Sequence, residues 1–304
     1  MHSFVMKTDQ TRCFRSDGTP VDCQGTGQDA DVNAGIGWPV PRFTAGMKDS
    51  VLDRLTGLEW TQNAALTDVP LTWHEAAEYV EEMNRTLRDS ARRWRLPTRS
   101  DLFSLISHDT VNPALPEPHP FTNVFNGYYW TGTSCARLPD QAWYVHLGGG
   151  RVFKGMKHGS YMVWPVRGSR PRSIENSRFI ASGTTILDRQ GHLVWQKRAD
   201  ATGAPVSWDS AFSTVEQANR TAADESPPWR LPNIRELESL CDMRFHTPAL
   251  SANHPFYHVR DGYWSSTSSM IDPAYAWVLY PEDGAVGVGF KKKPEFYVWM
   301  VKDA

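Results

Sequence analysis

Oxygen-bearing side chains alternate along one short stretch near the start of the chain. In QDADVNAG, Asp29, Asp31 and Asn33 occupy every second position, a spacing by which a loop turns several oxygens towards one calcium ion. An EF-hand loop would carry glycine at its sixth position and glutamate at its twelfth, but here Ala34 is sixth and the twelfth residue is not glutamate. Two interpretations stay open: a calcium site at Asp29, Asp31 and Asn33, or an acidic loop rich in Asx turns.

A second group of candidate residues combines positive charge with aromatic rings. A basic, glycine-rich loop beside aromatic strands suits a sulfated or carboxylated glycan, with Tyr128 or Tyr129 stacking on a sugar face. The alternative is ordinary solvated surface charge. The basic candidates are Arg151, Lys154, Lys157 and His158 in one stretch and Lys291, Lys292 and Lys293 in another.

Catalytic motifs are missing from the sequence. No histidine pair has HExxH spacing or a nearby CxxC, and no GxSxG elbow is present. His119 and His254 recur in matching HPF tripeptides, which favours packing or hydrogen bonding. These observations favour a protein without enzymatic activity.

The pairing of two cysteines bears on the cellular compartment of the protein. Cys13 and Cys23 lie ten positions apart in CFRSDGTPVDC, where Gly18 and Pro20 allow the chain to turn back. A disulfide between them suits an extracytoplasmic protein, while two reduced thiols suit a cytosolic one. Spacing alone does not choose between these alternatives.

Charge and hydropathy exclude further classes. Among the 304 residues, 32 Lys and Arg nearly balance 34 Asp and Glu, for a net charge of -2. A general nucleic-acid binder needs a basic excess, so nucleic acid is not an expected partner. No apolar run approaches the roughly 20 residues of a membrane span, and the first residues show no signal-peptide pattern.

The sequence contains an internal repeat. LDRLTGLEW from Leu52 matches LDRQGHLVW from Leu187, and WRLPTRSDL from Trp94 matches WRLPNIREL from Trp229, both at a shift of 135 positions. Twelve of the thirteen tryptophans form six matched pairs, Trp60/Trp195, Trp73/Trp208, Trp94/Trp229, Trp130/Trp264, Trp143/Trp277 and Trp164/Trp299. An ancestral module was duplicated.

The repeated nonapeptide has two interpretations. As a site, Arg95 and Arg230 would hold an anion while Asp101 and Glu236 act as bases. As scaffold, the same residues form ion pairs and a capping box at the start of a short helix. We favour scaffold.

Local patterns predict the elements of each repeat. Two capping boxes, Thr72 to Glu75 and Thr98 to Asp101, precede apolar residues at helical spacing, and aromatic-rich segments with strand character follow. The prediction is α+β, with two helices and a small, twisted, mainly antiparallel sheet per repeat. The predicted parts are a leader (1–48) that packs on or caps the first repeat, the first repeat (49–168), a linker (169–183) and the second repeat (184–304).

Several of these motifs together resemble a known family. DRLTGLEW, WRLPTRSDLFSL, YYWTGTS and AWYV are similar to the Lcl C-terminal domain, a bacterial domain, and the leader is similar to the segment that often precedes it. The resemblance implies a fold related to C-type lectins and to the formylglycine-generating enzyme. It also implies exported or surface proteins, because most members are of that kind and the namesake is an adhesin that binds sulfated glycans.

The function expected from residues and resemblance is recognition of an extracellular ligand, either a glycan or a surface protein, without catalysis. The alternative is an enzyme, either carbohydrate-active or of the formylglycine-generating type, although the copper-binding cysteines of the latter have no equivalent in the last sixty residues. A structural role in a surface assembly is the third hypothesis. Calcium is the only cofactor that the sequence suggests.

Overall fold

The computed structural model describes residues 5–89, 92–168, 178–221 and 227–304. The chain forms two compact units, Trp38–Arg172 and Met1–Gly37 with Ser173–Ala304. One unit contains residues 38–48 of the leader with the first repeat, and the other contains residues 1–37 of the leader with the second repeat. Of the predicted linker, residues 169–177 lie outside the described residues, while Phe179–Ser182 forms a strand of the second unit.

The first repeat combines two helices with two groups of antiparallel strands. The leader contains β1 (Cys13–Phe14), β2 (Pro20–Val21) and α1 (Asp29–Val32). The elements of the first repeat are β3 (Phe43–Ala45), β4 (Ser50–Asp53), β5 (Leu58–Thr61), α2 (Trp73–Met83), α3 (Arg99–Leu105), β6 (Tyr128–Ser134), β7 (Gln141–His146), β8 (Val152–Met156) and β9 (Val166–Arg167). One sheet has the order β3-β4-β5-β9, and β6, β7 and β8 pair consecutively in a meander.

Capping boxes begin both helices, as the sequence predicted. The Thr72 hydroxyl accepts the Glu75 N–H, and the Glu75 carboxylate accepts the Thr72 N–H. Thr98 and Asp101 make the same pair of contacts at α3. Each box satisfies backbone donors that the first helical turn leaves without an intrahelical partner, so these positions fix where the helices begin.

Aromatic side chains form the centre of the first repeat. Trp164 is buried against Trp60, Phe121 and Tyr129, with ring centroids 5.5, 4.9 and 5.7 Å away. Its indole N–H donates to the Thr61 carbonyl at 3.0 Å. Nine of the twelve matched tryptophans are buried in this way, whereas Trp73, Trp94 and Trp229 are half-buried and Trp229 borders a surface depression.

The second repeat has the same sequence of elements. The elements are β10 (Phe179–Ser182), β11 (Thr185–Asp188), β12 (Leu193–Gln196), α4 (Trp208–Thr221), α5 (Ile234–Ser239), β13 (Tyr263–Ser268), β14 (Tyr275–Tyr280), β15 (Ala285–Phe290) and β16 (Val301–Asp303). One sheet has the order β10-β11-β12-β16, and β13, β14 and β15 pair consecutively. Both helices and both groups of strands recur, which confirms a tandem α+β architecture.

The repeated nonapeptide makes scaffold contacts in both units. Arg95 donates to the Asp101 carboxylate at 2.7 Å, and Arg230 makes two bonds of 2.7 Å to Glu236. Both acids also belong to the capping boxes of α3 and α5. Since each carboxylate already accepts an arginine and a backbone N–H, these contacts agree with the scaffold interpretation.

Residues 5–37 of the leader pack on the second repeat, so the expectation that the leader packs on the first repeat was wrong for this part. It contains a two-stranded hairpin, β1 (Cys13–Phe14) with β2 (Pro20–Val21), and a short helix α1 (Asp29–Val32). The side-chain amide of Gln10 bonds both backbone groups of Ser268. The last part of the leader instead contacts the first repeat, where Arg42 forms an ion pair with buried Asp53 at 2.8 Å.

Cys13 and Cys23 form a disulfide that closes the leader hairpin. Of the two alternatives left open by the sequence, the structure thus has the oxidised pair. The other two cysteines, Cys135 and Cys241, do not form a disulfide. Within the described ranges, no helix has the length and apolar character needed to cross a membrane.

Candidate functional site

A half-exposed cluster of aromatic rings lies on one face of the β6–β8 meander. Tyr128 is 43% exposed, and its ring centroid lies 4.9 Å from Tyr144, 4.8 Å from His146 and 5.2 Å from Tyr161. Tyr144 and Tyr161 also contact each other at 5.1 Å. We call Tyr128, Tyr144, His146 and Tyr161 the aromatic platform.

Strand register explains why these rings share a face. Tyr128 pairs with His146, and Trp130 pairs with Tyr144, across β6 and β7. Side chains at every second position of a strand point to the same side, and cross-strand partners lie next to each other. Alternation in β6 and β7 therefore places Tyr128, Tyr144 and His146 on one face, and Tyr161 packs on them from outside these two strands.

Arg151 adds a positive charge beside the platform. It is exposed and follows a tight turn in which the Gly150 N–H donates to the His146 carbonyl at 2.6 Å. The His146 N–H donates back to the Arg151 carbonyl at 2.9 Å. The Arg151 backbone is thus tied to the end of β7 that carries the platform histidine, and its charge acts on that imidazole.

Burial and charge keep the platform itself neutral. Burial lowers the pKa of His146, and the positive charge of Arg151 lowers it further, so the imidazole is uncharged at neutral pH. Burial raises the pKa of Tyr144 to about 12, and neighbouring tyrosines add to the shift. The platform is a set of uncharged rings and hydroxyls beside one cation, which is suited to polar ligands with an apolar face.

Within the described part of the second repeat there is no equivalent platform. Gly262 stands opposite Tyr280 where the first repeat has Tyr128 and His146, and Val278 stands where the first has Tyr144. Phe296 replaces Tyr161 and packs on Trp264 with centroids 4.7 Å apart. Because the shared scaffold does not require these tyrosines, they are the residues in which a function specific to the first repeat can reside.

Tyr129 does not belong to this surface. Its side chain is fully buried against Trp164, and its hydroxyl accepts the Phe125 N–H at 2.7 Å. Adjacent strand residues point to opposite faces, so Tyr128 and Tyr129 cannot both face a ligand. The expectation that Tyr129 stacks on a sugar was wrong.

The basic residues of the first repeat fall into separate places. Lys154 pairs with Trp143 across the strands and lies 5.6 Å above its ring, on the face opposite the platform. Lys157 lies 4.4 Å above the Trp73 ring. Lys157 and the exposed His158 line a shallow depression together with Thr72, His74, Pro139, Asp140 and Met156. Only Arg151 of this predicted group lies beside the platform.

The three lysines of the second repeat are also divided. Lys291 is fully buried, and its ammonium nitrogen donates to the Ser268 hydroxyl at 2.8 Å and lies 3.9 Å above the Trp208 ring. Lys292 and Lys293 are exposed, and Lys293 lies 3.6 Å from Glu295. The prediction that Lys291 contacts a ligand was wrong because the side chain has no access to solvent.

The acidic stretch of the leader is helical and its carboxylates are engaged. Asp29 is buried and accepts hydrogen bonds from Thr8 at 2.8 Å and Thr267 at 2.5 Å. Asp31 accepts the Gly27 N–H, and Asn33 ends α1 in the left-handed conformation. Among the described residues no group of three or more His, Cys, Asp or Glu could hold a metal ion. Calcium binding at Asp29, Asp31 and Asn33 stays a prediction.

Sequence reasoning missed three of the four platform residues, namely Tyr144, His146 and Tyr161. Two signals were present: AWYVH alternates in step with YYW, and the second repeat replaces both tyrosines. A residue-by-residue comparison of the repeats over residues 141–161 would have identified them.

Comparison with known proteins gives one result at the level of the family. No curated protein matches the chain. The family model of the Lcl C-terminal domain matches it twice, over residues 49–167 and 184–302, which is more than half of its length. The tandem recurrence of the indole core, the capped helices and the strand meander agrees with these two matches. The chain belongs to the Lcl C-terminal domain family and carries two copies of that domain.

Proposed function

We propose that this protein binds a glycan outside the cytoplasm, through the aromatic platform of its first repeat and without catalysing a reaction. The observation that supports this most is the half-exposed ring of Tyr128, held by three neighbouring rings beside Arg151. A sugar has an apolar face that packs on an aromatic ring and hydroxyls that bond to polar groups at its edge. The lectin-like relationship implied by the family is consistent with this use.

Arg151 defines the class of glycan. An exposed guanidinium offers paired N–H donors that match sulfate and carboxylate geometry. The neutral His146 and the tyrosine hydroxyls do not repel an anion. A sulfated or carboxylated glycan therefore fits the platform better than a neutral one.

The disulfide supports the proposed location. Disulfides such as Cys13–Cys23 persist in oxidising compartments and are rare where thiols are kept reduced. The proposal places the platform in the periplasm or at the cell surface, where a glycan ligand is available.

Replacing Tyr128 by alanine is expected to weaken binding of a heparin oligosaccharide to the full chain by about fivefold, because ring stacking contributes roughly 1 kcal/mol beyond the area that it buries. Isothermal titration calorimetry with heparin and with its desulfated form measures the effect. The desulfated form should bind more weakly, since it lacks the anion that Arg151 recognises.

Tyr257→Ala is the matched control. Tyr257 is 47% exposed on the second repeat, so its removal deletes an equally accessible ring outside the platform and should leave the affinity unchanged. Equal losses in the two variants, or no binding of sulfated, carboxylated or neutral glycans by the unaltered chain, would reject the platform as a glycan site.

A further inference from the structure

The leader covers the face of the second repeat that is formed by Asn233, Thr267 and Ser268. Thr267 and Ser268 at the end of β13 are fully buried. Gln10 donates to the Ser268 carbonyl at 2.8 Å and accepts its N–H at 2.9 Å, while Asp29 accepts the Thr267 hydroxyl. The side-chain amide of Asn233 donates to the Ala34 carbonyl at 3.2 Å. The leader thus recognises this face through backbone and hydroxyl groups.

The corresponding residues of the first repeat are open to solvent. Ser134 and Gly132 on β6 are exposed, Thr133 is half-buried, and Thr98 is exposed where its counterpart Asn233 is buried. The local geometry is conserved between the repeats: the Thr133 hydroxyl accepts the N–H of the first residue of α3 at 3.0 Å, and Thr267 does the same for α5 at 3.1 Å. The same surface exists twice, and the leader covers it once.

A lysine above a tryptophan marks both faces. Lys157 lies 4.4 Å above Trp73, and Lys291 lies 3.9 Å above Trp208. In both repeats the lysine carbonyl accepts the N–H of that tryptophan at 3.0 Å. On the second repeat the ring of Phe14 from the leader lies 5.9 Å from the Lys291 ammonium group. On the first repeat the lysine is half-exposed.

We propose that the open face of the first repeat, formed by Thr98, Gly132, Thr133, Ser134 and Lys157, is a docking site for a polypeptide segment of another protein. The segment has the chemistry of the leader: a glutamine that bonds the backbone of Ser134, a carboxylate that accepts the Thr133 hydroxyl and an aromatic ring beside Lys157. β6 lies at the edge of its sheet, and a sheet edge offers unpaired backbone groups to an incoming peptide. An acidic residue elsewhere in the segment would complement the charge of Lys157.

A second molecule of this protein is a poorer source of that segment. Its leader already buries Thr267, Ser268 and Lys291 of its own second repeat, so moving it to another molecule would uncover one face for each face covered. A segment from a different chain has no such cost. The occupant is therefore a separate protein that carries a leader-like segment.

The leader itself supplies the probe for this proposal. A labelled peptide of residues 5–37, closed by the Cys13–Cys23 disulfide, is titrated into the full chain and followed by fluorescence anisotropy. The chain's own leader keeps the second-repeat face occupied, because attachment gives it a high effective concentration. We expect one peptide to bind per chain. Ser134→Trp should weaken it at least tenfold because the indole blocks the end of β6.

Two controls make the result specific. Ser213→Trp places the same bulk on an exposed serine of α4 and should leave peptide binding unchanged. A peptide with Gln10→Ala should bind at least tenfold more weakly, because it lacks the amide that bonds Ser268 in the second repeat. Absence of peptide binding would overturn the proposal. So would binding that Ser134→Trp leaves unchanged, since the peptide would then have displaced the leader from the second repeat.

Discussion

Replacing Trp299 by alanine is expected to lower the free energy of unfolding of the unit that carries the second repeat by roughly 3–5 kcal/mol. Trp299 is fully buried, with ring centroids 5.4 Å from Trp195, 4.8 Å from Phe256 and 5.1 Å from Tyr263. Alanine leaves a cavity among rings that cannot collapse together, and it leaves the Gln196 carbonyl without its indole donor. Urea unfolding followed by circular dichroism measures the loss.

Two further variants test whether the effect comes from the duplicated core. Trp164→Ala removes the matched indole of the first repeat and should cost its unit a similar amount. Trp38→Ala removes the one unmatched tryptophan, which is half-buried, and should cost clearly less. If Trp299→Ala is no more destabilising than Trp38→Ala, the paired indoles are not the main contributors to stability.

The parts of the fold that local chemistry determines could be predicted from the sequence. Thr72 with Glu75 and Thr98 with Asp101 form capping boxes whose partners are three residues apart, so both helix starts were identified correctly. The matched tryptophans predicted a duplicated core because a bulky residue retained at the same place in both repeats has the same packing to satisfy. These features depend on neighbours in sequence or on the comparison of one repeat with the other.

The position of the leader could not be predicted in this way. Gln10 bonds Ser268 across 258 positions, and Asp29 bonds Thr267 across 238. No periodicity links such distant residues, and the leader is adjacent in sequence to the first repeat, which suggested the wrong partner. The same docking buries Lys291, a residue that composition and spacing assign to the surface.

Only part of the candidate site was predicted, because residue type alone does not show which side chains face the same surface. Tyr128 and Arg151 were identified from residue type, and they do lie at the platform. Tyr129 was included because the two tyrosines are adjacent, although strand alternation sends one to the core. Tyr161 follows the short turn after β8, and its contacts with Tyr128 at 5.2 Å and Tyr144 at 5.1 Å assign it to the site.

Lys291 is the buried group with the largest expected effect on pH-dependent stability. Burial lowers the pKa of its ammonium group to about 7, and the negative charges of Asp209, Asp17 and Asp272 offset only part of that shift. Between about pH 7 and pH 10 the unfolded chain holds this proton and the folded chain does not. Stability must therefore rise with pH across this interval, and it has no further dependence on Lys291 below pH 7.

Buried tyrosines determine the pH above which stability no longer rises. Burial raises the pKa of Tyr129 to about 12 and raises that of Tyr263 further. Above about pH 10 an unfolded tyrosine loses its proton while these folded ones keep it. Stability then falls again, so the maximum is expected near pH 10.

Lys291→Met should raise stability at pH 7 by a few kcal/mol and remove the rise between pH 7 and pH 10, which is on the order of 3 kcal/mol in the unaltered chain. Methionine fills a similar volume above Trp208 without an ammonium group to desolvate, and this gain exceeds the loss of the hydrogen bond to Ser268. Urea unfolding at pH 7, 8, 9 and 10 gives the pH dependence of the unfolding free energy for the variant and for the unaltered chain.

Lys157→Met is the matched control, because Lys157 lies above Trp73 in the same way but is half-exposed. The unfolding free energy of this variant should change with pH as it does in the unaltered chain. Parallel slopes for Lys291→Met and the unaltered chain would show that the leader does not bury this lysine in solution.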